Sequence, residues 1–172
     1  AAGPALAGRW ESRARGEAMS KSLKRVMQAL ADAGMTAAPL EMPDETRTAP
    51  QAAAAAGCAL DQIVKSILFQ GASGRLYLFL TAGGNQVDPA RASNLAGEPL
   101  GRADGRMVRE VTGFAIGGVA PVGHLTPLPI WADPRLTKQT PIRRSTSPMY
   151  GHPPAPCWTR KVKRAEIGRA SC

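Results

Sequence analysis

IVKSILFQGASGRLYLFLTA, residues 63–82, is the stretch on which the rest of the chain is hung. Two apolar runs of strand length, 63–70 and 75–82, flank GASG, whose small and turn-forming residues suit a hairpin. In the first run Ile63, Lys65, Ile67 and Phe69 alternate onto one face, and Val64, Ser66 and Leu68 onto the other. Lys65 therefore stands between apolar neighbours on a strand with two apolar faces. Such a lysine either snorkels at a sheet edge or lines a pocket.

On the N-terminal side, SKSLKRVMQALADAG places Leu23, Val26, Met27 and Leu30 at helical spacing, with Ser20 or Ser22 to cap the start and Gly34 to suit the end. Residues 36–43 suggest a short edge strand, because Pro39 has no ladder donor. Thr48 can cap an alanine-rich helix that stops at Gly57. On the C-terminal side, Asp88-Pro89 is a cap followed by an N1 proline and starts a helix to about Ala96. Asp104 opens another, GRMVREVT, ending at Gly113, and LTPLPIW reads as a strand with prolines at its edge. The expected order is helix, strand, helix, strand, strand, helix, strand, helix, strand, loop, strand: a mixed α/β chain in one domain.

The bulk numbers fit that reading. A length of 172 residues suits one domain, and 44% hydrophobic content is that of a globular protein. No apolar run reaches the roughly 18 residues of a membrane span. The start lacks the basic-then-apolar order of a signal peptide, so a cytoplasmic location is expected. Cys58, Cys157 and Cys172 match neither a disulfide framework nor zinc-ligand spacing. The formal charge is +9, but eight basic residues against Glu166 fall from Thr137 onward, while residues 19–136 are nearly neutral. Net charge is thus a property of the tail, and by itself does not mark the core as a nucleic-acid binder. Residues 1–18 are expected to be an unstructured extension, 19–136 the domain, and 137–172 a basic, proline-rich, disordered tail.

Conventional catalytic groups are sparse. Residues 19–136 hold one cysteine, Cys58, read as a small buried residue, and one histidine, His124. No serine sits in a nucleophile elbow, and AIGGVAPVG lacks the spacing of a dinucleotide fingerprint. Thr48 is explained as a cap, Arg47 as a solvated charge, and Asn85 and Asp88 as turn and cap residues. What stands out is TGFAIGGVAPVGH, residues 112–124, where glycines cluster beside the histidine. Such a cluster marks a backbone that turns tightly or approaches something closely.

TRTAPQAAAAAGCALDQIVKSILFQ, GGNQVDPARASNLAGEPLGRAD and REVTGFAIGGVAPVGH, in this order, resemble the YbaK-like aminoacyl-tRNA deacylase family, the free-standing relative of the editing domain of bacterial prolyl-tRNA synthetases. The resemblance runs from about Ser20 to Leu136. It implies a mixed, curved, barrel-like sheet flanked by helices, and hydrolysis of mischarged aminoacyl-tRNA without metal or cofactor. Its implied partners are the acceptor 3′ end of the tRNA and a prolyl-tRNA synthetase. Carried over by motif, Lys65 matches the family's functional lysine, and Gly117, Gly118 and Pro121 match its glycine-proline loop. Thr46, Arg47, Asn85, Asp88, Thr112, Gly113, His124 and Asp133 occupy further motif positions as substrate-binding candidates.

The resemblance gives the glycines a chemical purpose. Ester hydrolysis puts negative charge on a carbonyl oxygen, which backbone N–H groups can stabilise if no Cβ obstructs them. Two competing readings are a non-catalytic module that binds a tRNA end or a synthetase, and a basic nucleic-acid-binding protein resting on the tail. Beyond Asp133 the sequence departs from the family, whose members continue with a further helix and strand.

Overall fold

The computed structural model describes residues 20–35, 46–138, 163–164 and 168–169. The element order is α1 (Lys21–Asp32), α2 (Ala49–Ala56), a 3-10 turn (Leu60–Gln62), β1 (Val64–Gly71), β2 (Leu76–Ala82), β3 (Gln86–Val87), α3 (Pro89–Ala96), β4 (Leu100–Arg102), α4 (Gly105–Thr112), β5 (Ile130–Ala132), α5 (Arg135–Lys138), β6 (Lys163–Arg164) and β7 (Gly168–Arg169). The hairpin forms as expected, with β1 and β2 antiparallel and Lys65 opposite Thr81. It is the centre of a mixed sheet in the order β4-β1-β2-β5-β6, in which β2–β5 and β5–β6 are parallel; β3 and β7 form a second, two-stranded sheet.

Every residue of β2 is buried, because the sheet is covered on both faces. Tyr77 and Phe79 pack on one side with Ala92 of α3 and with Trp131, whose ring stacks on Phe79 at 5.2 Å. Leu78 and Leu80 pack on the other side with Ala132, and Leu76 there joins Val108 of α4, Phe114 and Val119. Burying each of these large side chains contributes about 1.5–3 kcal/mol. The helices start where the sequence indicates. Ser20 accepts from the Leu23 amide, Thr48 and Gln51 form a capping box, and the Asp88 and Asp104 carboxylates each accept two first-turn amides.

Three expectations change. The LTPLPIW strand shrinks to Ile130–Ala132, because Pro127 and Pro129 have no N–H to give a ladder. The segment before it instead ties back to α4, with Thr126 N–H donating to the Val111 carbonyl at 2.9 Å. No strand forms between α4 and the glycine loop, where the chain passes directly into turns. In the basic tail, Lys163–Arg164 pairs with β5 and Gly168–Arg169 with β3, so these two dipeptides extend the sheets. The expected extension 1–18, the strand over 36–43 and the remainder of the tail beyond Lys138 lie outside the described residues.

Candidate functional site

Lys65 enters the structure near the start of β1 and turns its ammonium inward, where it donates to the backbone carbonyl of Asn85. A lysine head held in this way is not snorkelling. The turn that delivers Asn85 is Gly83-Gly84, pressed against the 3-10 turn. A Cβ on Gly83 would lie 2.2 Å from the Leu60 carbonyl oxygen, and one on Gly84 2.7 Å from Asp61 Oδ1. The Gly84 N–H instead donates to that Asp61 oxygen at 3.0 Å. Close approach makes glycine obligatory at 83, and Asp61 holds the turn in place.

Asn85 is 5% exposed and Asp133 3%. The Asn85 side-chain amide donates to Asp133 Oδ2 at 2.7 Å, and its own carbonyl oxygen accepts from Gln86 N–H at 3.0 Å. Asp133 follows β5; its N–H donates to the Leu80 carbonyl at 2.8 Å, and its Oδ1 accepts from Arg135 N–H at 2.9 Å. Lys65, Asn85 and Asp133, far apart in sequence, thus form one hydrogen-bonded cluster. Buried polar groups are tolerable when satisfied in this way. An ammonium has three donors, and the Asn85 carbonyl occupies one.

The glycine loop is built differently. Gly113 ends α4 in the left-handed region at φ +75°, and Gly117 and Gly123 take φ of +85° and +78°. Gly117, Gly118 and Pro121 are exposed. The Gly118 N–H donates to the Ala115 carbonyl at 3.0 Å, whereas the Gly117 N–H meets no acceptor among the described residues. Gly118 is therefore a turn donor, and the Gly117 amide is one of several loop N–H groups without an acceptor among the described residues. His124 lies half-buried with its ring at 90° to that of Phe114, centroids 6.1 Å apart. Its Nε2 is 2.8 Å from the Ala120 carbonyl, which can only accept, so Nε2 carries the proton. Burial holds its pKa below the ordinary value, partly opposed by that hydrogen bond. Beside the loop tip an open hollow of about 440 Å³ is lined by Arg102, Ala103, Asp104, Gly105 and Ile116.

The remaining candidates lie elsewhere in the fold. Thr112 is fully buried, its hydroxyl donating to the Val108 carbonyl at 2.6 Å and accepting from Phe114 N–H at 3.1 Å. Asp88 caps α3. Arg47 is exposed, with its N–H donating to Gln51 Oε1 at 3.1 Å, and Thr46 is half-buried just before it. Gly113 gives its carbonyl to Arg25 of α1, a contact the sequence did not reveal. Among the described residues no hydrogen bond joins the Lys65 cluster to the loop; Lys65 shares the sheet face of Thr81, while the apolar loop residues pack on the other face. Among those residues, too, no group of three or more His, Cys, Asp or Glu could hold a metal ion, and no helix is long and apolar enough to cross a membrane.

Residues 43–143 match the profile of the aminoacyl-tRNA editing domain. The fold is similar to the crystal structure of a protein proposed as a trans-editing enzyme for prolyl tRNA synthetase, at 48% identity and a TM-score of 0.65, covering 71% of this chain and 78% of the other. It is also similar to that of hypothetical protein APE2540, at 30% identity and a TM-score of 0.60, covering 67% and 77%. Uncharacterized protein YwhH from Bacillus subtilis (strain 168) is 32% identical over 83 residues, 48% of this chain and 53% of that protein, so the match spans about half of the curated relative's length.

Proposed function

Because the chain belongs to the aminoacyl-tRNA editing domain family, we propose that it hydrolyses the ester of a mischarged aminoacyl-tRNA in the cytoplasm, acting in trans beside a prolyl-tRNA synthetase. Alanine or cysteine on the tRNA for proline is the substrate to test first. The need for such an activity is physical: a synthetic site discriminates against a smaller or isosteric amino acid by only about a hundredfold. The observation that carries the reading is the Lys65–Asn85–Asp133 cluster, which unites three of the family-motif residues around one half-buried ammonium.

In this reading the two spare N–H donors of Lys65 bind the anionic or ribose oxygens at the 3′ end of the tRNA. Asn85 and Asp133 act through Lys65, holding the carbonyl that aims it. Water, assisted by the neighbouring ribose hydroxyl, attacks the ester carbonyl. The bond to the ribose oxygen breaks, that oxygen takes up a proton, and free amino acid leaves. In the same reading, charge on the carbonyl oxygen in the transition state is met by loop backbone N–H groups, with that of the exposed Gly117 as a candidate. No side-chain nucleophile enters the scheme.

The test is a panel of mischarged tRNAs incubated with the protein, with release of free amino acid as the readout. Release from alanyl- or cysteinyl-tRNA for proline, and not from the correctly charged tRNA, is expected. Binding of the tRNA end with no release from any member of the panel would replace hydrolysis with recognition alone.

A further inference from the structure

Arg25 projects from α1 to a place where the two ends of the glycine loop meet. Its Nη2 donates to the carbonyl of Gly113, which begins the loop. The guanidinium carbon lies 4.9 Å from the centroid of the Phe114 ring, within the range of a cation–π contact. At the other end, the backbone of α1 supports Gly123, where a Cβ would fall 3.1 Å from the Arg25 carbonyl oxygen and 3.4 Å from the Val26 nitrogen. A Cβ on Gly113 would collide with the guanidinium itself. One residue of a distant helix therefore touches the loop at both of its ends, by its side chain at 113 and its backbone at 123. Phe114 passes the contact inward to His124, and His124 to the Ala120 carbonyl.

This packing is costly unless it serves a purpose. Arg25 Nε is buried and has no hydrogen-bond partner among the described residues, a desolvation penalty on a charged group. Arginine is also not a neutral choice. A planar guanidinium can donate to a carbonyl and lie over a ring at the same time, which a lysine ammonium cannot reproduce.

We infer that Arg25 is a positioning residue for the loop, and that α1 sets where the Gly117 backbone stands. Its relevance to turnover rests on the deacylase reading above; its effect on loop geometry does not. The test pairs two measurements on Arg25→Ala and Arg25→Lys in the full chain. Amide hydrogen exchange is expected to rise tenfold or more at the hydrogen-bonded amides of the loop and its ends, Phe114, Gly118, Leu125 and Thr126, in Arg25→Ala, with β1 and β2 amides as protected as in the parent protein. With mischarged tRNA, kcat is expected to fall tenfold or more and KM to stay within twofold, since the loop acts on the transition state rather than on binding. Arg25→Lys is expected to recover part of the exchange protection and part of kcat. Parent-level exchange at those four amides in Arg25→Ala overturns the inference. So does parent-level kcat in a variant whose loop exchanges freely. A parent protein that deacylates nothing removes the deacylase reading but leaves the exchange result to decide the role of Arg25. If β1 and β2 lose protection along with the loop, Arg25 is a global stability residue and the inference fails.

Discussion

The Lys65 cluster and the glycine loop are made by opposite means. In the cluster the supporting groups are turned inward: Asn85 and Asp133 are almost fully buried, and their hydrogen bonds close on one another and on the Lys65 ammonium, which keeps two donors for a ligand. The loop is fastened at its ends and bare in its middle, with Gly117, Gly118 and Pro121 exposed and Ile116 53% exposed at the tip. A charge that must be aimed needs a rigid, satisfied shell, whereas a backbone that must be approached needs missing side chains. Substitutions in the two regions should accordingly separate: those beneath the ammonium cost stability, and those in the loop cost turnover.

The largest effect is expected from Lys65→Ala. It removes the charge that binds the tRNA end, and kcat/KM should fall about a hundredfold or more. The fold loses only the hydrogen bond to the Asn85 carbonyl, about 1 kcal/mol, which a denaturant titration measures. Parent-level turnover in the folded variant would remove the lysine from the site. Gly118→Val comes next. A Cβ there meets only the Ala115 carbonyl oxygen at 3.8 Å, an ordinary contact, and φ at 118 is not in the left-handed region. The variant should fold with its stability nearly unchanged, while a branched side chain beside the Gly117 amide lowers kcat/KM by about ten- to a hundredfold. Equal loss of stability and activity would make the loop no different from the cluster. Gly117 itself is a poorer probe, because its φ of +85° strains any other residue.

Asp133→Ala reverses the pattern. It leaves the buried Asn85 side-chain amide and Ala82 N–H, and the part-buried Arg135 N–H, without their acceptor, at a cost of about 3 kcal/mol. Activity should decline chiefly with the folded fraction, with a smaller further loss because the carbonyl that aims Lys65 is held less firmly, and Asp133→Asn, which keeps one acceptor oxygen, should recover part of both. A stable Asp133→Ala protein with abolished turnover would mean that the carboxylate touches substrate.

Much of this architecture was legible locally. Asp88-Pro89 and Asp104 announced helices that end where the sequence suggested, at about Ala96 and at Gly113, because caps are chemistry within three residues. The hairpin and the motif positions Lys65, Asn85 and Asp133 were also legible, the last two only through resemblance. That the three would share one hydrogen-bonded cluster was not, since it depends on the β2–β5 pairing of distant segments. The sequence carried no signal for Gly83-Gly84, because what excludes a side chain at 83 is the close approach of the Leu60 carbonyl. Arg25 was invisible because its partner, Gly113, lies 88 residues away and no periodicity records such a contact. The pairing of Lys163–Arg164 and Gly168–Arg169 escaped for another reason: two-residue ladders are made by backbone, and side-chain pattern does not encode them.

The smallest expected effect is a pH dependence that belongs to the loop alone. His124 titrates below its ordinary value of 6.5, first because burial disfavours the imidazolium, with the Ala120 hydrogen bond opposing the shift. The unfolded chain therefore binds the proton more readily than the folded one. Stability from this residue is complete above the unfolded value and is lost as pH falls from there toward the folded one, below which it levels off. Between about pH 7.5 and 5 the denaturant midpoint of the parent protein should drift downward, and the drift should be shallower in His124→Gln, whose amide can still donate to Ala120. The window stops at about pH 5 because Glu98, lowered chiefly by its hydrogen bond from Tyr77, loses its own contribution as pH falls further, through its lowered value. Hydrogen exchange at the Phe114, Gly118, Leu125 and Thr126 amides should rise over the same pH window, while amides of the Lys65 cluster stay unaffected across it. Parallel pH profiles for the parent and His124→Gln would mean that protonating the imidazole costs the loop nothing, and that His124 does not hold it closed.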